Sequence, residues 1–395
     1  MILDKLFIKE SFPIELNLDY ILGIPEFRRL CECEQNPVWH AEGNVFEHTK
    51  LSCENLYKEF LNNDIDLYNS LSESELLIIR SAVLFHDIGK GVTTLQGKDG
   101  KLHAYGHEYE SEKITRKILW NENIDIREII CSLVRYHMEV LKIFDSKNWL
   151  IRMIEIGYRV PWKLLYCVKM ADIYGSIHLD SVNSSRGDDL LKMKFIKETA
   201  INLGIWDNIN YCHLTNLVKY CNNKELFPWK VKNSKDKVAF VMIGLSGAGK
   251  NTIIDKKILS KYDNALVLSR DDIRIELGYC GDGKKYLGSK EEEQKVSELF
   301  NKRFEEGIRS GRIIVLNDLN LKKKYREESV RLLRKNGYVV KFVYVEAPTL
   351  EHNYERRKND MNKEVIDNMI LSFDFPEPNE YDELYIKHLS FLIYG

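Results

Sequence analysis

The chain has 395 residues, of which 44% are hydrophobic and 30% are charged, and this composition excludes an intrinsically disordered protein. A chain of this length exceeds what one hydrophobic core usually supports, so we expect at least two domains. The formal net charge of −2 gives no overall attraction to nucleic acid, although a local basic groove would not be visible in that sum. The N-terminal residues include several acidic side chains and no long apolar run, and the eight cysteines form no CxxC pair. These features predict a cytoplasmic protein with reduced thiols and no membrane partner.

The N-terminal half has the hydrophobic periodicity of helices. Between about residues 44 and 180 the apolar side chains recur at helical spacing, as in Leu76, Ile79 and Val83. We therefore predict an all-α domain at residues 1–185, followed by a helical connector at residues 186–236.

The pattern changes after the segment FPWKVKNSKDK, where short β-rich runs alternate with helical patterns. These runs are VAFVMI, ALVL, IIVL and VVKFVYV. Such alternation is typical of an α/β domain, so residues 237–395 are predicted to form a parallel sheet flanked by helices.

The helical half contains histidines and aspartates suited to binding metal ions. Taken singly, a histidine near an apolar helix face is more often a core residue than a ligand. Here, however, an adjacent His-Asp pair followed by Gly-Lys occurs with further candidates on other helices. These ligand types suit one or two divalent transition metal ions such as Mn²⁺, Ni²⁺, Co²⁺ or Zn²⁺, which make a bound water nucleophilic. The candidate metal ligands are His48, His86, Asp87, His107, His137 and Asp172.

This order of residues resembles the HD superfamily of metal-dependent phosphohydrolases over about residues 38 to 180. The resemblance implies that His48, His86, Asp87 and Asp172 hold a first metal ion and that His107 and His137 complete a second. The phrase HAEGNVFEHT is also similar to the start of the HD domain of bacterial CCA-adding enzymes, which act on phosphates at RNA ends. Lys90 and Arg135 are either phosphate-binding cations or ordinary surface charges.

The stretch GLSGAGKNT follows a predicted strand and opens a helical pattern, as a phosphate-binding loop requires. In such a loop, glycines allow backbone N–H groups to surround phosphates, and the lysine contacts the terminal phosphates. The sequence therefore predicts binding of ATP or another NTP together with Mg²⁺. The predicted NTP-binding residues are Gly244, Ser246, Gly247, Ala248, Gly249, Lys250, Asn251 and Thr252.

Three further motifs follow predicted strands of the C-terminal half: SRDDIR, LNDLNL and NYERRKND. A carboxylate at the end of a strand can activate a hydroxyl group, and arginines can stabilise a phosphoryl group during transfer. For SRDDIR the alternative is an ordinary helix start rich in acids. For NYERRKND the alternative is a solvated basic helix face.

Together with the loop, these motifs resemble the P-loop polynucleotide 5′-kinases over about residues 237 to 380. The resemblance implies that Lys250 contacts the β- and γ-phosphates, that Asp271 is the general base for a 5′-hydroxyl group, and that Arg274 holds a phosphate of the acceptor. It also implies that Asp318 orients the acceptor, with Asn320 from the same loop near the substrate. Either Arg356 or Arg357 would be the arginine of the lid.

Asn251 departs from this family, which has Ser or Thr at the corresponding position to help hold Mg²⁺. An Asn carbonyl is also an oxygen donor, but the side chain is longer. We therefore expect an altered metal requirement rather than an inactive kinase.

The two halves together resemble the bacterial HD-Pnk proteins of RNA repair. The resemblance implies a kinase for 5′-hydroxyl ends and a phosphodiesterase or phosphatase for 2′,3′-cyclic phosphate ends. RNA is the implied partner, with DNA as the alternative, and a separate RNA ligase would seal the ends.

Two other functions stay open at this point. In the first, the HD domain is a nucleotidase and the P-loop domain phosphorylates a small molecule. In the second, the P-loop domain binds NTP without transferring phosphate and controls the HD site.

Overall fold

The computed structural model describes residues 1–8, 15–178, 183–207, 237–280 and 288–388. The chain divides into two compact units, Met1–Leu226 and Phe227–Gly395. No helix in the described ranges is long and apolar enough to cross a lipid bilayer.

The first unit is helical, as the periodicity predicts. Two antiparallel pairs of very short strands were not predicted: β1 (Phe7–Ile8) with β2 (Glu15–Leu16), and β3 (Leu95–Gln96) with β4 (Leu102–His103). The described α-helices of this unit are α1 (Leu18–Gly23), α2 (Pro25–Leu30), α3 (Val45–Asn55), α4 (Ile65–Asn69), α5 (Glu73–Phe85), α6 (Lys90–Thr93), α7 (His107–Ile118), α8 (Ile124–Tyr136), α9 (Glu139–Lys142), α10 (Trp149–Gly157), α11 (Trp162–Gly175) and α12 (Asn183–Asn202).

Helix α11 lies at the centre of this unit and packs against α3 and α5. Nearly all of its side chains are buried, and Trp162 and Leu165 are fully inaccessible. At its end, a Cβ atom on Gly175 would lie 2.0 Å from Ser52 Oγ, so only glycine allows α3 and α11 to approach this closely. This packing fixes the helices that carry the candidate metal ligands.

Part of the predicted connector belongs to the helical core. Met193, Ile196 and Ala200 of α12 are fully buried in the hydrophobic cluster of the first unit. Residues 208–236 of the predicted connector lie outside the described residues.

The second unit is a five-stranded parallel sheet with the order β6-β7-β5-β8-β9. The sequence predicted four of these strands, and β9 was missed. The strands are β5 (Val238–Ile243), β6 (Leu266–Leu268), β7 (Ile314–Leu316), β8 (Val339–Glu346) and β9 (Glu383–His388). The described α-helices are α13 (Lys250–Ile253), α14 (Arg270–Glu276), α15 (Lys290–Arg309), α16 (Lys323–Lys335), α17 (Leu350–Arg357) and α18 (Lys363–Leu371).

The parallel arrangement places the motifs at one edge of the sheet. Strands β5, β6 and β7 end at Ile243, Leu268 and Leu316, immediately before GLSGAGKNT, SRDDIR and NDLNL. Ligands of open α/β sheets bind at the carboxyl ends of the strands. The fold therefore brings the predicted phosphate-binding and catalytic residues together.

Candidate functional site

The candidate metal ligands come from five helices of the first unit and meet in its interior. His48 lies on α3, His86 and Asp87 follow α5, and Asp172 lies in α11. His107 is the first residue of α7, and His137 follows the last residue of α8. The three-dimensional structure thus brings all of these predicted residues together, while their role as metal ligands stays a prediction.

Within this cluster, a first set of donor atoms surrounds His48. The His48 Nε2 atom lies 3.2 Å from His86 Nε2 and 3.2 Å from Asp172 Oδ1. Asp87 Oδ2 lies 3.3 Å from His86 Nε2 and 3.7 Å from His48 Nε2. These distances correspond to the first ligand set implied by the HD resemblance.

A second set involves the other oxygen of Asp87. Asp87 Oδ1 lies 3.1 Å from His107 Nε2 and 3.8 Å from His137 Nε2, and these two nitrogens are 3.4 Å apart. Asp87 therefore has one carboxylate oxygen in each set, an arrangement that suits two neighbouring cations.

The hydrogen bonds around this cluster fit a metal site. The Nδ1 atoms of His86, His107 and His137 lie 2.7 to 2.8 Å from backbone carbonyl oxygens, to which they donate. When these imidazoles are neutral, each Nε2 atom keeps its lone pair, and the lone pairs converge on the buried Asp87. In that protonation state, Asp87 Oδ1 accepts no hydrogen bond in the described part of the chain. Converging lone pairs beside a buried, unsatisfied carboxylate oxygen are the environment that a divalent cation satisfies.

The electrostatics of the cluster favour positive charge. Burial alone would raise the pKa of Asp87, but His86, Lys90 and His107 hold it well below its usual value. Burial alone would lower the pKa of His48, but Asp172 and Glu42 raise it to about 9. The carboxylates thus stabilise a cation at this position, whether a proton or a metal ion.

Two lysines flank the cluster beside a cavity of about 190 Å³. Lys90 Nζ lies 2.7 Å from Asp87 Oδ2, and Lys169 Nζ lies 2.6 Å from Asp172 Oδ2. Both line the cavity and can place an ammonium group beside a substrate phosphate. Lys169 was missed in the sequence, where its position three residues before Asp172 on one helix was the available signal. Arg135 instead lies between Glu112 and Glu139, over the ring of Tyr109.

Glu42 is a further residue that the sequence analysis missed. Its Oε1 atom accepts hydrogen bonds of 2.8 Å from Nδ1 of both His40 and His48, and its Oε2 atom accepts one from the N–H group of Ile177. Burial would raise the pKa of Glu42, but these bonds lower it below its usual value. Glu42 therefore fixes the orientation of His48 so that Nε2 faces the cluster.

We expect Glu42→Gln to weaken metal binding by about 10- to 100-fold, because groups that orient metal ligands have effects of this size. The measurement is metal affinity by chelator competition with Mn²⁺. Glu47→Gln, on the exposed side of α3, is the matched control and should bind like the wild type. Unchanged affinity in Glu42→Gln would show that Glu42 has no orienting role.

In the second unit, the phosphate-binding loop follows β5. Gly247 and Gly249 have φ angles of 78° and 97°, which favour glycine. Lys250 Nζ donates to the carbonyl oxygens of Gly244 and Leu245 at 2.9 and 3.0 Å. Burial lowers the pKa of Lys250 to about 8, although Asp271 and Asp318 raise it. Ala248 is buried in the hydrophobic core, so only its backbone is available to a nucleotide.

The predicted catalytic carboxylates lie in the same cleft. Asp271 is 84% exposed and accepts a hydrogen bond of 2.6 Å from Arg274, which also contacts Glu293 at 2.9 Å. Asp318 accepts a hydrogen bond of 3.0 Å from the backbone N–H of Arg270 and pairs with its guanidinium group. Arg270, a member of SRDDIR to which the sequence assigned no role, therefore fixes Asp318.

The two candidate lid arginines follow β8 on α17, and both line the cleft. Arg356 donates to the carbonyl oxygen of Gly247 at 2.9 Å, and Arg357 forms an ion pair of 3.5 Å with Asp360. Asn320, expected near the substrate, lines the cleft, and its amide donates to the carbonyl oxygen of Met242 at 2.8 Å. Its side chain thus ties the loop to β5.

Asn251 forms a contact that the sequence did not reveal. Asn317, the first residue after β7, donates from Nδ2 to Asn251 Oδ1 at 2.9 Å. The oxygen that would replace a Ser or Thr hydroxyl as a Mg²⁺ ligand therefore already accepts one hydrogen bond. This position therefore lacks the hydroxyl group of the usual phosphate-binding loop, and the oxygen that replaces it is shared with Asn317.

We expect the affinity for ATP to depend only weakly on Mg²⁺ in the wild type and more strongly in Asn251→Ser. The ratio of the ATP dissociation constant in EDTA to that in Mg²⁺ should be about tenfold higher in Asn251→Ser than in the wild type. A tenfold change corresponds to the free energy of about one hydrogen bond to a charged group. Calorimetric titration with ATP measures this ratio, and Thr252→Ser is the control. A strong Mg²⁺ dependence in the wild type would contradict the role assigned to the Asn251–Asn317 pair.

The loop, both carboxylates and both lid arginines line one cleft of about 2220 Å³. The sequence of residues 45–174 matches the HD domain family, and residues 240–376 match an AAA domain family. The chain thus combines an HD domain of the metal-dependent phosphohydrolase type with a P-loop kinase-like domain.

Among solved structures, the chain is similar to one from the molecular and structural characterization of the PezAT chromosomal toxin-antitoxin system of the human pathogen Streptococcus pneumoniae. The identity is 18%, the match covers 47% of this chain and 80% of that chain, and the TM-score is 0.32. A similarity of this degree carries no information about substrates. No curated protein matches the sequence.

Proposed function

We propose that the protein is a bifunctional RNA end-healing enzyme of the HD-Pnk type. The P-loop unit would phosphorylate 5′-hydroxyl ends from an NTP, and the HD unit would hydrolyse 2′,3′-cyclic phosphate ends. The resemblance of both motif sets to the HD-Pnk proteins supports this combination. Cleavage of RNA by ribonucleases often leaves a 5′-hydroxyl end and a 2′,3′-cyclic phosphate end. A ligase can join the strands only after both ends have been converted.

The observation that carries the kinase half of the proposal is the size and content of its cleft. Its volume of about 2220 Å³ exceeds the roughly 300–1,000 Å³ typical of small-ligand pockets. A cleft of this size has room for an NTP and for the end of a polymer together. This favours a polynucleotide acceptor over a small molecule.

In this kinase, each residue has a chemical task that its position allows. Lys250 neutralises the terminal phosphates of the NTP, and Asp271 accepts the proton of the 5′-hydroxyl group as this oxygen attacks the γ-phosphorus. The bond from the γ-phosphorus to the β–γ bridging oxygen breaks, and the NDP leaves. Arg274 holds an acceptor phosphate after exchanging its contact with Glu293. An arginine of the pair Arg356 and Arg357 stabilises the charge on the transferring group.

In the HD unit, the two ligand sets around Asp87 would hold the metal ions. Divalent cations bound there supply charge neutralisation and a water of lowered pKa. Lys90 and Lys169 bind the non-bridging oxygens of the cyclic phosphate and orient it toward the cluster. The cavity of about 190 Å³ suits the terminal phosphate and sugar of a strand rather than a folded RNA.

An acceptor panel tests the substrate class. Purified protein with ATP is offered a 5′-hydroxyl RNA oligonucleotide, the matching DNA oligonucleotide and free nucleosides. We expect labelling of the oligonucleotides with a much higher kcat/KM than that of nucleosides. Labelling of nucleosides alone would overturn the proposal in favour of a small-molecule kinase.

A further inference from the structure

One side of α16 lines the kinase cleft along its length. Tyr325, Glu328, Ser329 and Leu332 all face the cleft, at the spacing i, i+3, i+4 and i+7 of a single helix face. This face begins just after the loop that carries Asp318. It therefore begins next to the predicted acceptor residue Asp318.

Helix α15 presents a second face to the same cleft. Its lining residues run from Glu293, which contacts Arg274, to Glu305. At a rise of about 1.5 Å per residue, the lining spans roughly 10 Å along α16 and roughly 18 Å along α15. A stacked strand advances about 3.4 Å per nucleotide, so the cleft has the length of on the order of three nucleotides.

Tyr325 is unusual within this lining because it is a large aromatic residue that is 64% exposed. Its neighbours Lys322 and Lys324 are also exposed, and neither forms an ion pair within the described ranges of the chain. An exposed aromatic ring beside a lysine is a combination with which proteins stack bases and neutralise the backbone of single strands. Glu328, one turn further along, has a carboxylate that would repel phosphates and can accept hydrogen bonds from base N–H groups. The bases of a bound strand, rather than its phosphates, would therefore lie against this face of α16 near Glu328.

We propose that Tyr325 is the stacking platform for a base of the acceptor strand, with Lys322, which lines the same cleft, contacting its phosphates. The inference rests on the proposed kinase function and makes it specific: the acceptor is a single-stranded polynucleotide whose 5′ end lies at Asp271. Tyr325 acts as a specificity-determining residue through binding, and takes no part in the phosphoryl transfer.

The test measures binding of a 5′-hydroxyl RNA 12-mer, labelled at its 3′ end, by fluorescence anisotropy with the full-length chain. We expect Tyr325→Ala to weaken binding by about tenfold, the scale of one base–aromatic stacking contact, and Tyr325→Phe to bind like the wild type. Calorimetric affinity for ATP should be the same in all three proteins. Because Tyr325 is exposed, thermal unfolding should also be unchanged.

Tyr385→Ala, which alters a half-exposed tyrosine on β9 outside the cleft lining, is the matched control. A Tyr325→Ala variant that binds the 12-mer as tightly as the wild type would overturn this inference and leave the proposed kinase function standing. A loss of ATP affinity without a loss of RNA affinity would also overturn it, since the ring would then serve the NTP base. Wild-type protein that binds no oligonucleotide would overturn both this inference and the proposed kinase function.

Discussion

Asp87→Ala is expected to lower hydrolysis of a 2′,3′-cyclic phosphate end by more than about 100-fold, because loss of groups that merely orient metal ligands already costs 10- to 100-fold. Asp87 has one oxygen in each ligand set, 3.3 Å from His86 Nε2 and 3.1 Å from His107 Nε2. Its loss would therefore affect both sets. The product is measured by gel electrophoresis of an RNA with a labelled cyclic phosphate end.

The same variant provides two internal controls. Phosphorylation of 5′-hydroxyl ends should be unchanged, since Asp87 belongs to the other unit of the chain. Bound metal, measured by mass spectrometry, should fall with the hydrolysis. Asp99→Ala, which changes an exposed aspartate paired with His103, should retain hydrolysis and metal. Full hydrolysis by Asp87→Ala would exclude the His-Asp cluster as the site of this reaction.

Asp271→Asn is expected to lower 5′ phosphorylation by about 10²- to 10⁴-fold, the range that a general base contributes. The substitution keeps the size of the side chain and removes its basicity. It also weakens the contact of 2.6 Å with Arg274. The measurement is the single-turnover rate of transfer from labelled ATP to a 5′-hydroxyl oligonucleotide, which separates the chemical step from binding.

The adjacent carboxylate gives the matched control. Asp272→Asn should retain phosphorylation within a few-fold, because the sequence resemblance assigns the base to the first aspartate of the pair. Affinity for ATP should stay at the wild-type level in Asp271→Asn. If Asp272→Asn is the inactive variant instead, the assignment of the base within SRDDIR is wrong.

The sequence predicted the fold class well because local patterns determine most of it. The apolar run VAFVMI coincides with β5, and VVKFVYV lies within β8. Strand β9 was missed because ELYIKH, at the edge of the sheet, is short, has charged residues near both ends and lacks a continuous apolar run. The short hairpin strands of the helical unit were missed because two residues carry no periodicity.

The candidate sites were predicted less completely, and the reason is long-range contact. The His-Asp motif marks its own residues, but Glu42 contacts the N–H group of Ile177 from a distant part of the chain. Likewise Asn317 contacts Asn251 across 66 positions, which changes what the Asn side chain can offer. Tyr325 belongs to a charged stretch that looks like any solvated helix, and only the fold shows that it faces the cleft. Spacing along the chain cannot reveal such pairs.

The most direct test of the central claim uses one RNA that carries a 5′-hydroxyl group and a 2′,3′-cyclic phosphate. It is incubated with purified protein, ATP, Mg²⁺ and Mn²⁺, and both ends are resolved on one gel. We predict that both ends change, that Asp271→Asn preserves only the 3′ change, and that Asp87→Ala preserves only the 5′ change. A processed cyclic phosphate beside an unchanged 5′-hydroxyl group would contradict the account, and would indicate a P-loop unit that binds nucleotide without transferring phosphate.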